Sequence, residues 1–99
     1  MKIMATYRII YWKEFPAQVN AEDETGTVKL KLSARFHEAI DAAAMAEGSA
    51  DSEAYLVGWE WGADQERPGS AHEVAEAVIG ELEQEYPKSR LAEMIRGRR

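Results

Sequence analysis

Cysteine is absent from the 99 residues of the chain. Disulfide bonds, thiolate nucleophiles and cysteine-ligated zinc are therefore excluded. Histidine is scarce, and the two histidines, His37 and His72, do not form the HxH or HxxxH spacing of metal-ligand pairs. We expect no metal site and no cofactor. The lack of cysteine also fits a cytoplasmic protein.

Long apolar runs are absent too. No uncharged apolar stretch approaches the roughly 18 residues that would indicate a membrane-spanning helix. The amino terminus reaches Arg8 without the apolar segment of a signal peptide. The sequence therefore predicts a cytoplasmic protein with no membrane partner.

Positive charge is scarce over most of the chain. Residues 1–87 hold 7 basic and 17 acidic side chains, a net charge of −10, whereas residues 88–99 hold 5 basic and 1 acidic, a net charge of +4. An acidic surface repels a phosphate backbone, so nucleic-acid binding is disfavoured. We interpret the basic residues 96–99, like residues 1–3, as a frayed terminus.

The overall composition is that of one soluble globular domain. Hydrophobic residues make up 45% of the chain and charged residues 30%, which separates it from disordered proteins. A length of 99 residues supports one hydrophobic core. We predict a single domain over residues 1–99.

The first predicted strand covers residues 4–12, which are rich in β-branched and aromatic side chains. Apolar side chains occupy both of its faces: Tyr7, Ile9 and Tyr11 on one, Ile10 and Trp12 on the other. A strand that is apolar on both faces is expected at the centre of a sheet.

Two further strands follow. Residues 17–21 present Val19 between alanines, after a break at Pro16, which cannot donate to a strand ladder. The acidic segment 22–26 predicts a turn. Residues 28–32 alternate valine or leucine with lysine, which is typical of a half-buried strand at an exposed edge.

An alanine-rich helix is predicted over residues 34–47, with Ser33 as its side-chain cap and Gly48 just past its end. One broad arc of this helix is formed by Phe36, Ala39, Ile40, Ala42, Ala43, Ala44 and Ala46. Small residues on that arc allow close packing against large rings.

The next segment is aromatic. Asp51 is expected to cap a short helical turn over residues 52–57, which Gly58 ends. Trp59 and Trp61 then alternate with polar or small residues, which predicts a short strand beside the first one.

Ser70 and Glu73 have the spacing of a capping box and predict the start of a second long helix, which Pro87 ends. Its apolar stripe comprises Val74, Ala75, Val78, Ile79, Leu82 and Tyr86. A short last helix is predicted over residues 89–95.

This order of elements predicts an α+β fold: a small, mainly antiparallel sheet of three to four strands, with helices packed on one face.

Few residues suggest catalysis. His37 and Asp41 are four positions apart on a helix, where a carboxylate can orient an imidazole, but no nucleophile accompanies them and an exposed pair is favoured. His72 and Glu73 lie in a first helical turn, where capping accounts for the glutamate. The carboxylates of residues 22–24 lack the ligand spacing of a calcium loop.

Motifs for nucleotide binding and acyl transfer are missing as well. The glycines do not form GxGxxG after a strand, and the serines lie in capping or loop contexts without a nucleophile elbow. The sequence favours a non-enzymatic protein without excluding an enzyme.

Large aromatic side chains are numerous for so small a sheet. They fill the core in one interpretation; in the other, some remain exposed and anchor a protein partner, because tryptophan and tyrosine dominate interface hot spots. The candidates for partner binding are Trp12, Met45, Tyr55, Trp59 and Trp61. We expect an accessory or scaffold-type interaction domain that binds a larger cytoplasmic protein.

The alternative is a domain that binds a small molecule or assists catalysis. Arg8, Arg35 and Arg67 are its candidates for anion recognition, and His37 is its titratable group. A concave site that joins these residues would favour this alternative, whereas a flat apolar patch would favour a protein partner.

Several motifs together resemble a small bacterial family labelled the virulence factor domain. They are Tyr7 to Lys13, Pro16 to Val19, Arg35 to Met45, Tyr55-Leu56, Gly58-Trp59, Trp61 and Arg67 to Ser70. The resemblance covers about residues 6–85. It extends to the carboxy-terminal part of conserved virulence factor C, where the domain accompanies HEAT-type repeats and a segment similar to the Nfu scaffold amino terminus.

The resemblance carries no catalytic residues over to this chain. It implies an interaction role, with a scaffold protein or an enzyme of folate or corrinoid one-carbon metabolism as the partner.

Overall fold

The computed structural model describes residues 3–49 and 53–97. In these ranges the chain forms five strands and four helices. The strands are β1 (Met4–Trp12), β2 (Phe15–Asp23), β3 (Gly26–Lys31), β4 (Trp59–Trp61) and β5 (Gln65–Pro68). The helices are α1 (Ala34–Glu47), α2 (Glu53–Val57), α3 (Ala71–Glu85) and α4 (Lys88–Arg96).

The strands build one antiparallel sheet in the order β3-β2-β1-β4, and β5 also pairs with β1. The predicted α+β fold is confirmed. β1 is central as expected, with β2 on one side and both β4 and β5 on the other. β3 forms an edge, as its lysine alternation predicted.

β5 was not predicted from the sequence. Its residues are polar or proline, and three of the four are exposed, so they lack the apolar alternation that marks a strand. Arg67 is the half-buried member, and its guanidinium binds the carboxylate of Glu81 on α3. This contact joins the edge of the sheet to a helix.

A β-bulge interrupts the pairing of β1 with β2. Ile10 lies opposite Gln18 but Tyr11 lies opposite Pro16, so Ala17 is an extra residue on β2. The bulge accommodates the proline inside a strand, which the sequence had placed at a break. The buried residues of β1 are Ala5, Ile9 and Trp12, so burial passes from odd-numbered to even-numbered positions across the bulge.

α1 has the predicted bounds, and Gly48 ends it in the left-handed conformation with φ 74°. The predicted side-chain cap is wrong, because Ser33 makes no capping hydrogen bond to the helix. Its hydroxyl and its backbone N–H instead donate to the carboxylate of Glu83 on α3, at 2.9 and 2.8 Å. This contact links the start of α1 to α3.

α3 packs on β1, β2 and β3, and covers one face of the sheet. Its predicted capping box is present, with Ser70 Oγ accepting from the Glu73 N–H and Glu73 Oε1 accepting from the Ser70 N–H. Its buried residues are Ala71, Val74, Ala75, Val78 and Leu82. α4 docks through Leu91, which is buried, and α1 packs against both α4 and β2.

Asp23 joins a turn of the sheet to the start of α3. Its Oδ2 accepts from the Ala71 N–H at 2.7 Å, and its Oδ1 accepts from the backbone N–H groups of Thr25 and Gly26. The Ala71 N–H, then the Thr25 hydroxyl, which also donates to Oδ1, and the other two N–H groups lower the pKa of the Asp23 carboxyl from 3.8 to about 2.

We expect Asp23→Asn to destabilise the protein at neutral pH and to lose that effect in acid. A folded-state pKa below the unfolded value contributes stability that is present above about pH 4 and lost as the pH falls toward about 2. The measurement is the free energy of unfolding of both proteins between pH 7 and pH 2. Glu24→Gln, in the same turn, is the control; an equal pH response from both variants would contradict the assignment.

Some predictions fall on the undescribed part of the chain. The expected cap at Asp51 lies outside the described residues, as do residues 1–2 and 98–99 of the predicted frayed ends. Ile3, Arg96 and Gly97 are described: the Ile3 carbonyl accepts a hydrogen bond from the Gly69 N–H, Arg96 belongs to α4, and the Gly97 N–H donates to the Glu93 carbonyl. None of the helices in the described ranges is long and apolar enough to cross a membrane.

Candidate partner-binding surface

The pairing of β4 with β1 places three tryptophans on the same side of the two strands. Trp59 lies opposite Trp12, and Trp61 lies opposite Ile10. Side chains alternate along a strand and face their cross-strand partners, so these four share one side of the β1–β4 pair. Their exposure nevertheless differs widely.

Trp12 is fully buried, at 0% exposure, so it is not a surface residue as the sequence interpretation required. Its ring packs against Phe15 and Tyr55, and its Nε1–H donates to the Tyr55 carbonyl at 2.8 Å. Gly58, just after α2, lies against the same indole. Trp12 therefore belongs to the core and holds the α2 segment in place.

Gly58→Ala is expected to destabilise the protein by about 1–3 kcal/mol, the usual cost of overpacking. An added Cβ at this position would lie 2.6 Å from Nε1 and 2.8 Å from Cε2 of Trp12. The measurement is chemical denaturation. Gly80→Ala is the control, because Gly80 is an exposed residue inside α3 with nothing near the added Cβ; it should stabilise the protein by about 0.5–1 kcal/mol. Equal effects would contradict the packing at Trp12.

We call Trp12, Tyr55, Trp59 and Trp61 the aromatic row, which runs from the core to the surface, and Tyr55 and Trp59 lie in its middle. Both are half-buried, and their rings meet edge to face with centroids 6.2 Å apart. Such a pair adds about 0.5–1.5 kcal/mol to the effect of burial alone. Each of these two residues therefore has a structural role and an exposed portion.

Trp61 is the exposed end of the row, with 62% of its surface accessible. The Arg8 guanidinium carbon lies 5.2 Å from the centroid of its ring. Asp64 holds that guanidinium through Nε at 2.7 Å and through a second nitrogen at 2.5 Å. A cation fixed by a carboxylate thus lies against the indole and restrains it.

A shallow concavity of about 640 Å³ adjoins Trp61. Its lining includes Met4, Thr6, Arg8, Asn20, Trp61 and Asp64. Thr6 and Arg8 alternate along β1 with the buried Ala5 and Ile9, so the concavity lies on the face opposite α3. We refer to this side, formed by Thr6, Arg8, Ile10, Asn20 and Trp61, as the open face.

Met45 is exposed at 71%, but it lies on the solvent side of α1 and does not line the concavity. It is therefore separate from the open face. Leu56 and Val57, which are not among the predicted candidates, are 69% and 76% exposed on α2. Their exposure could have been predicted from the sequence, because a five-residue helix has too few positions to bury an apolar stripe of its own.

The four candidates for anion recognition do not converge. Arg8 lines the concavity and is paired with Asp64. Arg35 pairs with Glu83 at 2.9 Å and donates to the carbonyl oxygens of Glu83 and Tyr86, and Arg67 pairs with Glu81. Each guanidinium is thus committed to an acceptor of the protein itself.

The histidines lie apart from these arginines. The Nε2 atom of His37 is buried and has no hydrogen-bond partner among the described residues. His72 is exposed and pairs with Glu76 at 3.1 Å, one helical turn further along α3. Within residues 3–49 and 53–97, histidine, aspartate and glutamate side chains form no group of three that could hold a metal ion.

Comparison with known proteins adds one finding. A family model described as "Virulence factor" matches residues 10–95, from the last three residues of β1 to Ile95 in α4. No curated protein and no solved structure matches the chain.

Proposed function

The chain belongs to the Virulence factor family, and we propose that it is a non-enzymatic interaction domain that binds a partner protein through the open face, with Trp61 as the anchor. The observation that carries this proposal is the state of Trp61, which is 62% exposed while Arg8 and Asp64 hold it in place. Exposed tryptophans are enriched among interface hot spots. An anchor that is already restrained loses less conformational entropy on binding.

The surroundings of Trp61 support an interface. Met4, at 43% exposure, adds an apolar side chain to the concavity beside Trp61, and Thr6, Asn20 and Glu22 add polar groups to its lining. Protein interfaces that form and dissociate are about as apolar as the rest of the protein surface, so a mixed apolar and polar lining is compatible with one. The surface is shallow rather than enclosed, which suits a protein better than a small molecule.

The family resemblance suggests the kind of partner. We propose a larger protein of the bacterial cytoplasm, either a scaffold protein or an enzyme of one-carbon metabolism. The small-molecule alternative has less support, because Arg8 is the one candidate cation that lines the concavity and Asp64 already neutralises it.

The test is affinity capture with the tagged protein from a lysate of its native host. We expect the wild type and Met45→Ala to retain the same partner, and Trp61→Ala to lose it. Met45 is the matched comparison, since it is also an exposed apolar residue but lies away from the open face. Capture of one partner by all three proteins would overturn the proposal, and so would capture of none.

A further inference from the structure

The outer edge of β4 presents backbone groups that do not face the rest of the sheet. The Lys13 N–H donates to the Gly58 carbonyl, and the Gly62 N–H donates to the Ile9 carbonyl. In an antiparallel ladder these bonds recur at every second residue, so Glu60 also faces β1, opposite Tyr11. The N–H and C=O groups of Trp59 and Trp61 consequently point away from β1.

Each of the other free edges of the sheet carries a residue type that discourages strand addition. β3 carries Lys29 and Lys31, which discourage pairing with another chain. On β5, Pro68 lies opposite Met4, at a position whose backbone points outward, because the neighbouring Gly69 N–H bonds to Ile3. A proline there removes an outward donor. β4 contains neither lysine nor proline.

From this contrast we infer that the edge of β4 receives an extended segment of the partner, which adds a strand beside Trp59-Glu60-Trp61 and carries a lysine or arginine opposite Glu60. This inference rests on the proposed function and names the mode of binding and the chemistry of the bound segment. Backbone bonds to Trp59 and Trp61 give affinity in such complexes, and the alternate side chains give specificity.

The acidic residues near the edge of β4 favour a basic segment of the partner. Glu60 and Glu66 are exposed, and neither belongs to an ion pair within the described ranges. Residues 59–66 contain no basic side chain, and of their three acidic ones Asp64 is paired with Arg8. A residue paired directly with Glu60 has its Cβ about 4.5–5.5 Å away. An incoming lysine or arginine at that position therefore forms a cross-strand ion pair.

The same geometry disfavours a second copy of this chain as the occupant. Antiparallel pairing of two β4 strands about their centre would set Glu60 directly against Glu60 of the other copy. Like charges at directly opposed positions are destabilising. The net charge of −10 over residues 1–87 adds repulsion between copies.

The test uses the full chain and a blocked peptide of about seven residues that alternates lysine and valine. Amide hydrogen exchange is followed residue by residue by NMR. At saturating peptide we expect exchange at Trp59 and Trp61 to slow by at least about tenfold, because both N–H groups acquire acceptors. The Glu60 amide, which already faces Tyr11, should change little and serves as the internal reference.

A charge exchange tests the role of Glu60. Glu60→Lys should lower the affinity for the lysine–valine peptide by about threefold or more. It should raise the affinity for a matched glutamate–valine peptide, since it inverts the cross-strand charge pair. Glu38→Lys, the same change at an exposed site on α1, should leave the preference for the lysine peptide in place.

Three results would overturn the inference: no slowing at Trp59 and Trp61 at millimolar peptide, slowing at the β3 edge instead, or protection of both amides in a dimer of the protein alone. These results would not by themselves refute the proposed function. A captured partner that requires Trp61 but leaves these two amides unprotected would refute strand addition and preserve the interaction surface.

Discussion

Replacing Trp12 with alanine is expected to lower the free energy of unfolding by about 3–5 kcal/mol, the usual cost of truncating a buried aromatic side chain. The ring is fully buried between Phe15 and Tyr55. Its loss would also leave the Tyr55 carbonyl without its indole donor. The measurement is urea denaturation. For a domain of this size the melting temperature should fall by at least about 12 °C.

Two matched variants separate the contributions of Trp12. Trp12→Phe keeps much of the apolar volume but removes the hydrogen bond to Tyr55, so its effect should be smaller than that of alanine. Trp61→Ala removes an equal side chain from the surface and should change stability by no more than about 0.5 kcal/mol. Equal destabilisation by the changes at Trp12 and Trp61 would refute the division of the row into a core end and an exposed end.

The effect of Trp61→Ala should instead appear in binding. We expect the affinity for the captured partner to fall by at least about 2 kcal/mol, or roughly 30-fold, as at other aromatic hot spots. The physical reason is the loss of a large ring that Arg8 and Asp64 already restrain. Titration calorimetry with purified partner measures this difference.

A change at Arg8 tests whether the restraint of the Trp61 ring contributes to the affinity for the partner. Arg8→Met removes the charge and the contact with Asp64 but keeps an unbranched apolar side chain beside the indole. Its affinity should lie between those of the wild type and Trp61→Ala. An affinity unchanged in both variants would show that the partner binds elsewhere.

The strong periodicities predicted much of the fold. The lysine alternation of β3 and the apolar stripe of α3 are local signals, readable within one element. The capping box of Ser70 and Glu73 is local in the same sense, and Gly48 has the left-handed conformation that glycine adopts at a helix end. Each of these signals depends on residues within a few positions of one another.

Contacts between residues far apart in the sequence could not be predicted from such local signals. Ser33 has the right side chain for a helix cap, yet it donates to Glu83, which is 50 positions away. β5 has no apolar pattern because it forms part of the sheet edge and joins α3 through the charge pair of Arg67 with Glu81. A polar strand held by its neighbours gives no periodic signal of its own.

The candidate surface shows the same limit. Trp12 and Trp61 are the same residue type on one side of the β1–β4 pair, but the first is covered by Tyr55 and the second is open. The sequence pattern predicted only that both belong to one aromatic set. Their separation into core and surface depends on where α2 packs, which only the tertiary structure determines.

Hydrogen-exchange mass spectrometry of the protein with and without its captured partner tests most directly whether the open face is the interface. We predict slower exchange in the peptides that contain β4 and the first half of β1, with α1 around Met45 and the whole of α4 unchanged. Protection confined to α4, or to α1 near Met45, with β4 exchanging as in the free protein, would contradict the assignment.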